Sequence, residues 1–143
     1  MRKLITGVDS AGRSCIVEEA ELTLKADPSN PGFPFALVGA TTSSPPPSRP
    51  QGHGHTGDLG VGVGLVTWTI VDYAADVEFP MHHTDTVDFD MVLEGTLAII
   101  LDDGEHALES GDVLVVHGVD HAWKAGPAGC RLSVLSLGTP PPA

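Results

Sequence analysis

The chain has 143 residues, which is enough for one domain with a sizeable core, and its 17 Gly and 12 Pro favour the turns of an all-β protein over helices. Nineteen acidic residues against seven basic ones give a formal net charge of −12, which disfavours nucleic acids and anionic membranes as partners. No stretch reaches the roughly 20 apolar residues of a membrane span. The basic residues at the start are not followed by the apolar run of a signal peptide, so we expect a cytoplasmic location.

The N-terminal part of the chain, residues 1–39, predicts a β-hairpin and its continuation. Residues 4–6 (Leu-Ile-Thr) and 15–17 (Cys-Ile-Val) are short β-prone runs, and residues 9–12 between them have turn chemistry.

Residues 40–62 predict a long flexible loop. They contain three consecutive prolines, which cannot donate hydrogen bonds to a sheet, and the glycine-rich run Gly52-His53-Gly54-His55. Chelation of a metal by the His-x-His pair of this run is the less favoured interpretation.

The rest of the chain, residues 63–138, predicts the core of a barrel within a single domain that covers residues 1–143. Strands are predicted over residues 63–73, 88–93, 96–101, 113–117, 121–124 and 131–137, with turns at 94–95, 102–104, 110–112 and 126–129. Short, evenly spaced strands separated by such turns are typical of a β-sandwich or barrel. Trp68 lies in an apolar strand and is expected in the core.

Five of the seven histidines lie in one stretch that also holds several carboxylates. The histidines are His82, His83, His106, His117 and His121, and the carboxylates are Asp85, Asp88, Asp90 and Glu94. Imidazole nitrogen and carboxylate oxygen together bind Zn, Fe, Mn, Ni and Co. Because neighbouring residues of a strand point to opposite faces, only one of His82 and His83 is expected to enter a barrel.

Two segments resemble the two sequence motifs of the cupin family. Residues 80–95 read Pro-Met-His-His-Thr-Asp-Thr-Val-Asp-Phe-Asp-Met-Val-Leu-Glu-Gly, and residues 111–123 read Gly-Asp-Val-Leu-Val-Val-His-Gly-Val-Asp-His-Ala-Trp. The resemblance is strongest over residues 79–137, and the opening residues 4–14 are similar to a branch of small bacterial and fungal cupins. It implies a cupin-type double-stranded β-helix, or jelly-roll, barrel.

Carried over onto this chain, the resemblance implies a site for one divalent transition metal. His121 matches the histidine of the second motif, and Asp88 stands where the family has a glutamate. One histidine of the family's pair is missing in either alignment: His82 at the first position leaves Thr84 at the second, and His83 at the second position leaves Met81 at the first. The implied ligands are His82, Asp88 and His121, with His83 as the alternative to His82.

Further residues are candidates for the wall of the cavity, where a small-molecule ligand would bind. Trp123 shares a strand face with His121 and Asp90 shares one with Asp88, so both can face the same space. Thr84 and His117 are the remaining candidates, although a structural role is the favoured interpretation for His117. Asp88 and His121 are the candidate catalytic residues, with Asp88 a general base if it does not bind the metal.

The function implied by the resemblance is a metal-dependent enzyme acting on a small organic acid or a keto or enol metabolite, by decarboxylation, isomerisation, cyclisation, dehydration or dioxygenation. The alternatives are a barrel that binds a small ligand without turning it over, and a metal-free isomerase or epimerase. A homodimer paired through the N-terminal strands is also expected, because small cupins commonly associate in this way.

Overall fold

The computed structural model describes residues 1–143 as nine β-strands without a helix. In chain order the strands are β1 (Arg2–Val8), β2 (Ser14–Glu21), β3 (His55–Gly57), β4 (Val66–Tyr73), β5 (Glu78–Thr84), β6 (Thr86–Leu101), β7 (Gly104–Glu109), β8 (Val113–Val116) and β9 (His121–Gly138). One sheet holds them all in the order β2-β1-β8-β6-β9-β5-β3, with β4 paired to β9 and β7 to β6. No helix has the length and apolar character needed to cross a membrane.

The two longest strands, β6 and β9, form the spine of the barrel. They pair antiparallel from Thr86 opposite Gly138 to Ile100 opposite Ala122. On its other edge β9 pairs with β5 near its start and with β4 over its second half. This arrangement brings the inner faces of four strands, β4, β5, β6 and β9, around one cavity.

The apolar core lies beside that cavity and shares part of its wall. The four residues of β8 (Val-Leu-Val-Val) are all buried, as expected for a strand covered on both faces. The core cluster of 13 side chains includes Leu97 and Ile99 of β6, and it also includes Trp123 and Leu132, which line the cavity. Burying each large aliphatic side chain contributes about 1.5–3 kcal/mol, so the core holds the cavity wall in place.

Two of the predicted turns are not chain reversals. Residues 94–95 lie inside β6 and residues 126–129 lie inside β9, where the pairing of the two strands shifts register. Gly95 and Gly129 both have positive φ, at 77° and 76°. A Cβ on Gly95 would stand 2.0 Å from the carbonyl oxygen of Gly129. These glycines therefore form β-bulges that bend two long strands, where the sequence predicted turns.

Other expectations are met or corrected in the remaining strands. β1 and β2 form the predicted N-terminal hairpin. The predicted loop 40–62 contains β3, which pairs parallel with β5. Trp68 is not in the core: 74% of its surface is exposed, because it lies on the outward face of β4. The homodimer stays a prediction.

Candidate metal centre

The cavity has a volume of about 500 Å³ and is lined by both apolar and polar side chains. Its apolar lining comprises Leu59, Val71, Tyr73, Phe79, Trp123, Leu132 and Val134. Its polar lining comprises Asp58, Thr67, Thr69, His82, Thr84, Asp88, Asp90, His121 and Ser136. No lysine or arginine lines the cavity, so the only ionisable side chains other than Tyr73 that face it are imidazoles and carboxylates.

His82 and His121 meet on the cavity wall because they lie opposite each other in the antiparallel pair of β5 and β9. Their ring centroids are 4.2 Å apart. The Nδ1 atom of His82 is 2.9 Å from the carbonyl oxygen of Pro80, and that of His121 is 2.9 Å from the carbonyl oxygen of Val119. A carbonyl only accepts, so each Nδ1 carries the hydrogen and each Nε2 keeps a free lone pair.

The two imidazoles are neutral at physiological pH. Burial, with a smaller effect of nearby His82, lowers the pKa of His121 to about 4. Burial also lowers the pKa of His82. Both Nδ1 atoms are held by the backbone, and the backbone of His121 also contacts the His82 ring and partly opposes the lowering of its pKa. Histidines that bind metals are commonly fixed in this way by their second nitrogen.

Asp88 and Asp90 face the same cavity from β6, and each has a buried Oδ1 atom without a hydrogen-bond partner. Burial raises the pKa of Asp88, although the hydroxyls of Ser136 and Thr86 oppose that effect. Burial and the neighbouring Asp88 raise the pKa of Asp90 well above its ordinary value. An unpartnered buried carboxylate oxygen is costly, so these atoms suit a proton, a bound ligand or a cation.

The residues fit a divalent metal in part. His82 and His121 present two nitrogen donors to one space, and Asp88 offers a free oxygen in the same cavity. The one group of three whose ligand atoms all lie within 4.8 Å of one another is elsewhere, at His53, Asp102 and Asp120. Two of the three sequence-predicted ligands thus lie side by side, and Asp88 lines the same cavity without completing a group of this kind.

His83 points away from the cavity, as the alternation of β5 requires. Its Nδ1 is 2.7 Å from Asp120 Oδ1 and its Nε2 is 2.9 Å from Thr56 Oγ1. Both ring nitrogens are therefore engaged, and the structure places His82, not His83, beside His121.

The other sequence-predicted cavity residues divide into two groups. Thr84 lines the cavity with its hydroxyl hydrogen-bonded to Thr86, and Trp123 meets the ring of His121 edge to face at 5.2 Å. His117, by contrast, lies outside the cavity. Its main-chain N–H bonds to the hydroxyl of Thr6 and its Nδ1 to the carbonyl of Thr6, so it connects β1 to the end of β8.

Several cavity residues were not predicted from the sequence. Thr67, Thr69, Val71 and Tyr73 share the inner face of β4, and Asp58 and Leu59 follow β3. The alternation of residues 67–73 is a signal that could have identified the first four. Asp58 and Leu59 carried no signal, because they lie in a segment with loop composition.

Comparisons with known proteins gave matches that each cover only part of the chain. No family model matches the chain. A segment of 56 residues is 41% identical to phomopsin biosynthesis cluster protein C' of Diaporthe leptostromiformis, and it covers 38% of this chain and 30% of that protein. A segment of 55 residues is 36% identical to the cupin-domain-containing oxidoreductase srdD of Neurospora crassa, covering 38% and 28% of the two chains. These matches span less than a third of the length of either relative.

Among solved structures, a cupin-2 domain protein from Shewanella frigidimarina is 29% identical to this chain. The superposition covers 49% of this chain and 68% of that one, with a TM-score of 0.44.

Proposed function

We propose that this all-β chain is a small cupin protein and a metal-dependent enzyme whose divalent transition metal is held by His82 and His121. The observation that carries the proposal is the pairing of two neutral imidazoles, 4.2 Å apart, whose Nδ1 atoms are both held by the backbone. The two Nε2 atoms are thereby offered to one cavity. Asp88 completes the set directly or through water.

The chemistry follows from which groups face the bound compound. A divalent metal at the two histidines supplies a Lewis acid for a substrate oxygen. Asp88 and Asp90 are buried in the same cavity with raised pKa values, so the ionised form of either would be a stronger base than an exposed carboxylate and could take a proton from the substrate. Trp123 and Tyr73, whose ring centroids are 6.4 Å apart, offer flat surfaces for packing.

The charge of the cavity favours one of the two expected substrate classes. With two buried carboxylates and no lysine or arginine in its lining, the cavity offers an organic acid no cationic side chain, so burying its charge carries a cost that only the metal could offset. A neutral keto or enol compound avoids that cost. We therefore favour a reaction that begins with removal of a proton next to a carbonyl, as in isomerisation or dehydration.

One observation favours a second candidate function, a barrel that binds a small ligand without turning it over. His82, Asp88 and His121 are not among the groups whose ligand atoms all lie within 4.8 Å of one another. Without a metal, the same cavity would present hydrogen-bond acceptors to a neutral hydroxylated ligand.

Elemental analysis of the purified, untagged protein tests the proposal, before and after reconstitution with Zn, Co, Fe(II), Mn or Ni. We expect His82→Ala and His121→Ala each to bind about one equivalent less than the wild type. His117→Ala is the matched control, because this histidine lies outside the cavity, and it should bind as much as the wild type. Circular dichroism checks that the variants are folded. Equal metal content in wild type, His82→Ala and His121→Ala would contradict the proposal.

A further inference from the structure

The Gly52-His53-Gly54-His55 run has the composition of a loop, but it packs against the carboxylate of Asp120. The main-chain N–H groups of His53 and Gly54 donate to Asp120 at 2.6 and 3.1 Å. A Cβ on Gly52 would stand 2.4 Å from Asp120 Oδ1, and one on Gly54 would stand 2.9 Å from it. Both glycines are needed for this close approach.

The contact of residues 52–54 with Asp120 also brings together, away from the cavity, three side chains of types that bind metals. His53 Nε2 is 2.8 Å from Asp102 Oδ1 and 3.4 Å from Asp120 Oδ2. One ligand atom from each of His53, Asp102 and Asp120 lies within 4.8 Å of the other two. One imidazole nitrogen and two carboxylate oxygens are a donor set that Zn²⁺ and related ions accept, with water completing the shell.

The two carboxylates are oriented by groups outside the set. Asp102 Oδ2 accepts from the main-chain N–H of Ser14 at 2.9 Å, which leaves its Oδ1 directed at His53. Asp120 Oδ1 is held by the Nδ1 of the buried His83 at 2.7 Å, and its Oδ2, which accepts the main-chain N–H of His53, lies 3.4 Å from the Nε2 of that residue. Support of this kind fixes ligands in position before an ion arrives.

We infer that His53, Asp102 and Asp120 form a second divalent-metal site, separate from the cavity, that fastens residues 52–59 to the barrel. The ion replaces the hydrogen on His53 Nε2 and binds all three side chains. The fastened segment continues through β3, which pairs with β5, to Asp58 and Leu59 on the cavity wall. Occupancy of this site therefore sets the position of one wall of the cavity.

The test is the zinc stoichiometry of the full-length protein, measured by equilibrium dialysis and elemental analysis at pH 7.5. We expect His53→Ala and Asp102→Asn each to bind one equivalent less than the wild type, or to bind it at least tenfold more weakly. His106→Ala is the matched control. The Nε2 atom of His106 also lies 2.6 Å from a carboxylate oxygen, Oδ1 of Asp103 in the turn before β7. His106 does not, however, belong to a group of three possible metal ligands.

The outcome can be separated from that of the cavity site. His82→Ala and His121→Ala should keep the equivalent that His53→Ala loses, whatever they do to the metal in the cavity. Zinc binding by His53→Ala and Asp102→Asn that equals the wild type in amount and affinity would overturn the inference. So would an equal loss of zinc in His106→Ala, because that would mark non-specific surface binding.

The fastening itself has a separate readout in limited proteolysis of residues 40–62. We expect Zn²⁺ to slow cleavage there in the wild type and to have no effect in His53→Ala. Cleavage of the wild type at the same rate with and without Zn²⁺ would refute the link between the ion and the segment.

Discussion

His82 of β5 and His121 of β9 lie directly opposite each other in an antiparallel pair, with their imidazole rings 4.2 Å apart. Each ring is held at Nδ1 by a carbonyl two residues earlier in the chain, Pro80 for one and Val119 for the other. Strand pairing thus brings together two residues that are far apart in sequence, and the local backbone fixes which nitrogen each presents.

The buried state of His121 predicts a loss of stability in acid. Its pKa is about 4 in the folded protein, against about 6.5 in the unfolded chain. Between these values the unfolded chain binds the proton more tightly, so the free energy of unfolding falls as the pH drops from about 6.5 to about 4, by about 3 kcal/mol at most. Urea unfolding of the metal-free protein at several pH values measures this.

The contribution of His121 to the pH dependence of stability can be measured with a variant. The comparison is needed because Asp88 and Asp90 have raised pKa values and therefore increase the free energy of unfolding as the pH falls. In His121→Asn the loss of stability between pH 6.5 and pH 4 should be smaller than in the wild type. An identical pH dependence in the two proteins would show that His121 does not carry the effect.

The carboxyl of Asp90 predicts the reverse dependence on pH. Its folded pKa is raised by burial and by Asp88, so its contribution to stability is complete below the unfolded pKa of about 3.9 and is lost as the pH rises through the folded pKa. Asp90→Asn, which cannot ionise, should be more stable than the metal-free wild type at pH 8, by on the order of 1–3 kcal/mol.

Chemical unfolding at pH 5 and pH 8 checks this, and Glu105→Gln, at an exposed position on β7, is the control and should change little at either pH. If Asp90→Asn is less stable than the wild type at pH 8, the claim that a buried, unpartnered Asp90 carboxylate destabilises the protein at that pH is wrong.

The bulge glycine of β6 predicts a sharp difference between two substitutions. Gly95 and Gly12 have nearly the same positive φ, 77° and 78°, but only Gly95 is crowded, by the carbonyl of Gly129 at 2.0 Å from the added Cβ. Gly12→Ala should therefore cost about 1 kcal/mol from backbone conformation alone. Gly95→Ala should cost several times more, because β9 must move. Thermal unfolding compares the two, and equal losses would show that the bulge tolerates a side chain.

Local sequence patterns were sufficient where structure depends on neighbours in the chain. The β-prone runs and the turn at residues 9–12 predicted the first hairpin, and the apolar run within residues 113–117 predicted the strand β8. Alternation predicted that only one of His82 and His83 could enter the barrel. The choice between them depends on which face of β5 meets β9, and residues 79–84 alone do not contain that information.

Longer-range pairing explains what the sequence could not predict. A glycine with positive φ serves both a turn and a bulge, so Gly95 and Gly129 gave the same local signal in either case. The three residues of β3 have no strand pattern and are held by β5. Asp120, which organises residues 52–55, lies next to His121 but carries no motif of its own, and only the folded chain shows its role.

The most direct test of the metal centre is an anomalous difference map from crystals of the protein reconstituted with Co²⁺, recorded on both sides of the cobalt edge. We expect a peak in the cavity about 2.0–2.3 Å from Nε2 of both His82 and His121. A cavity without such a peak in fully reconstituted crystals, or an ion bound to neither Nε2 atom, would contradict the proposed metal centre.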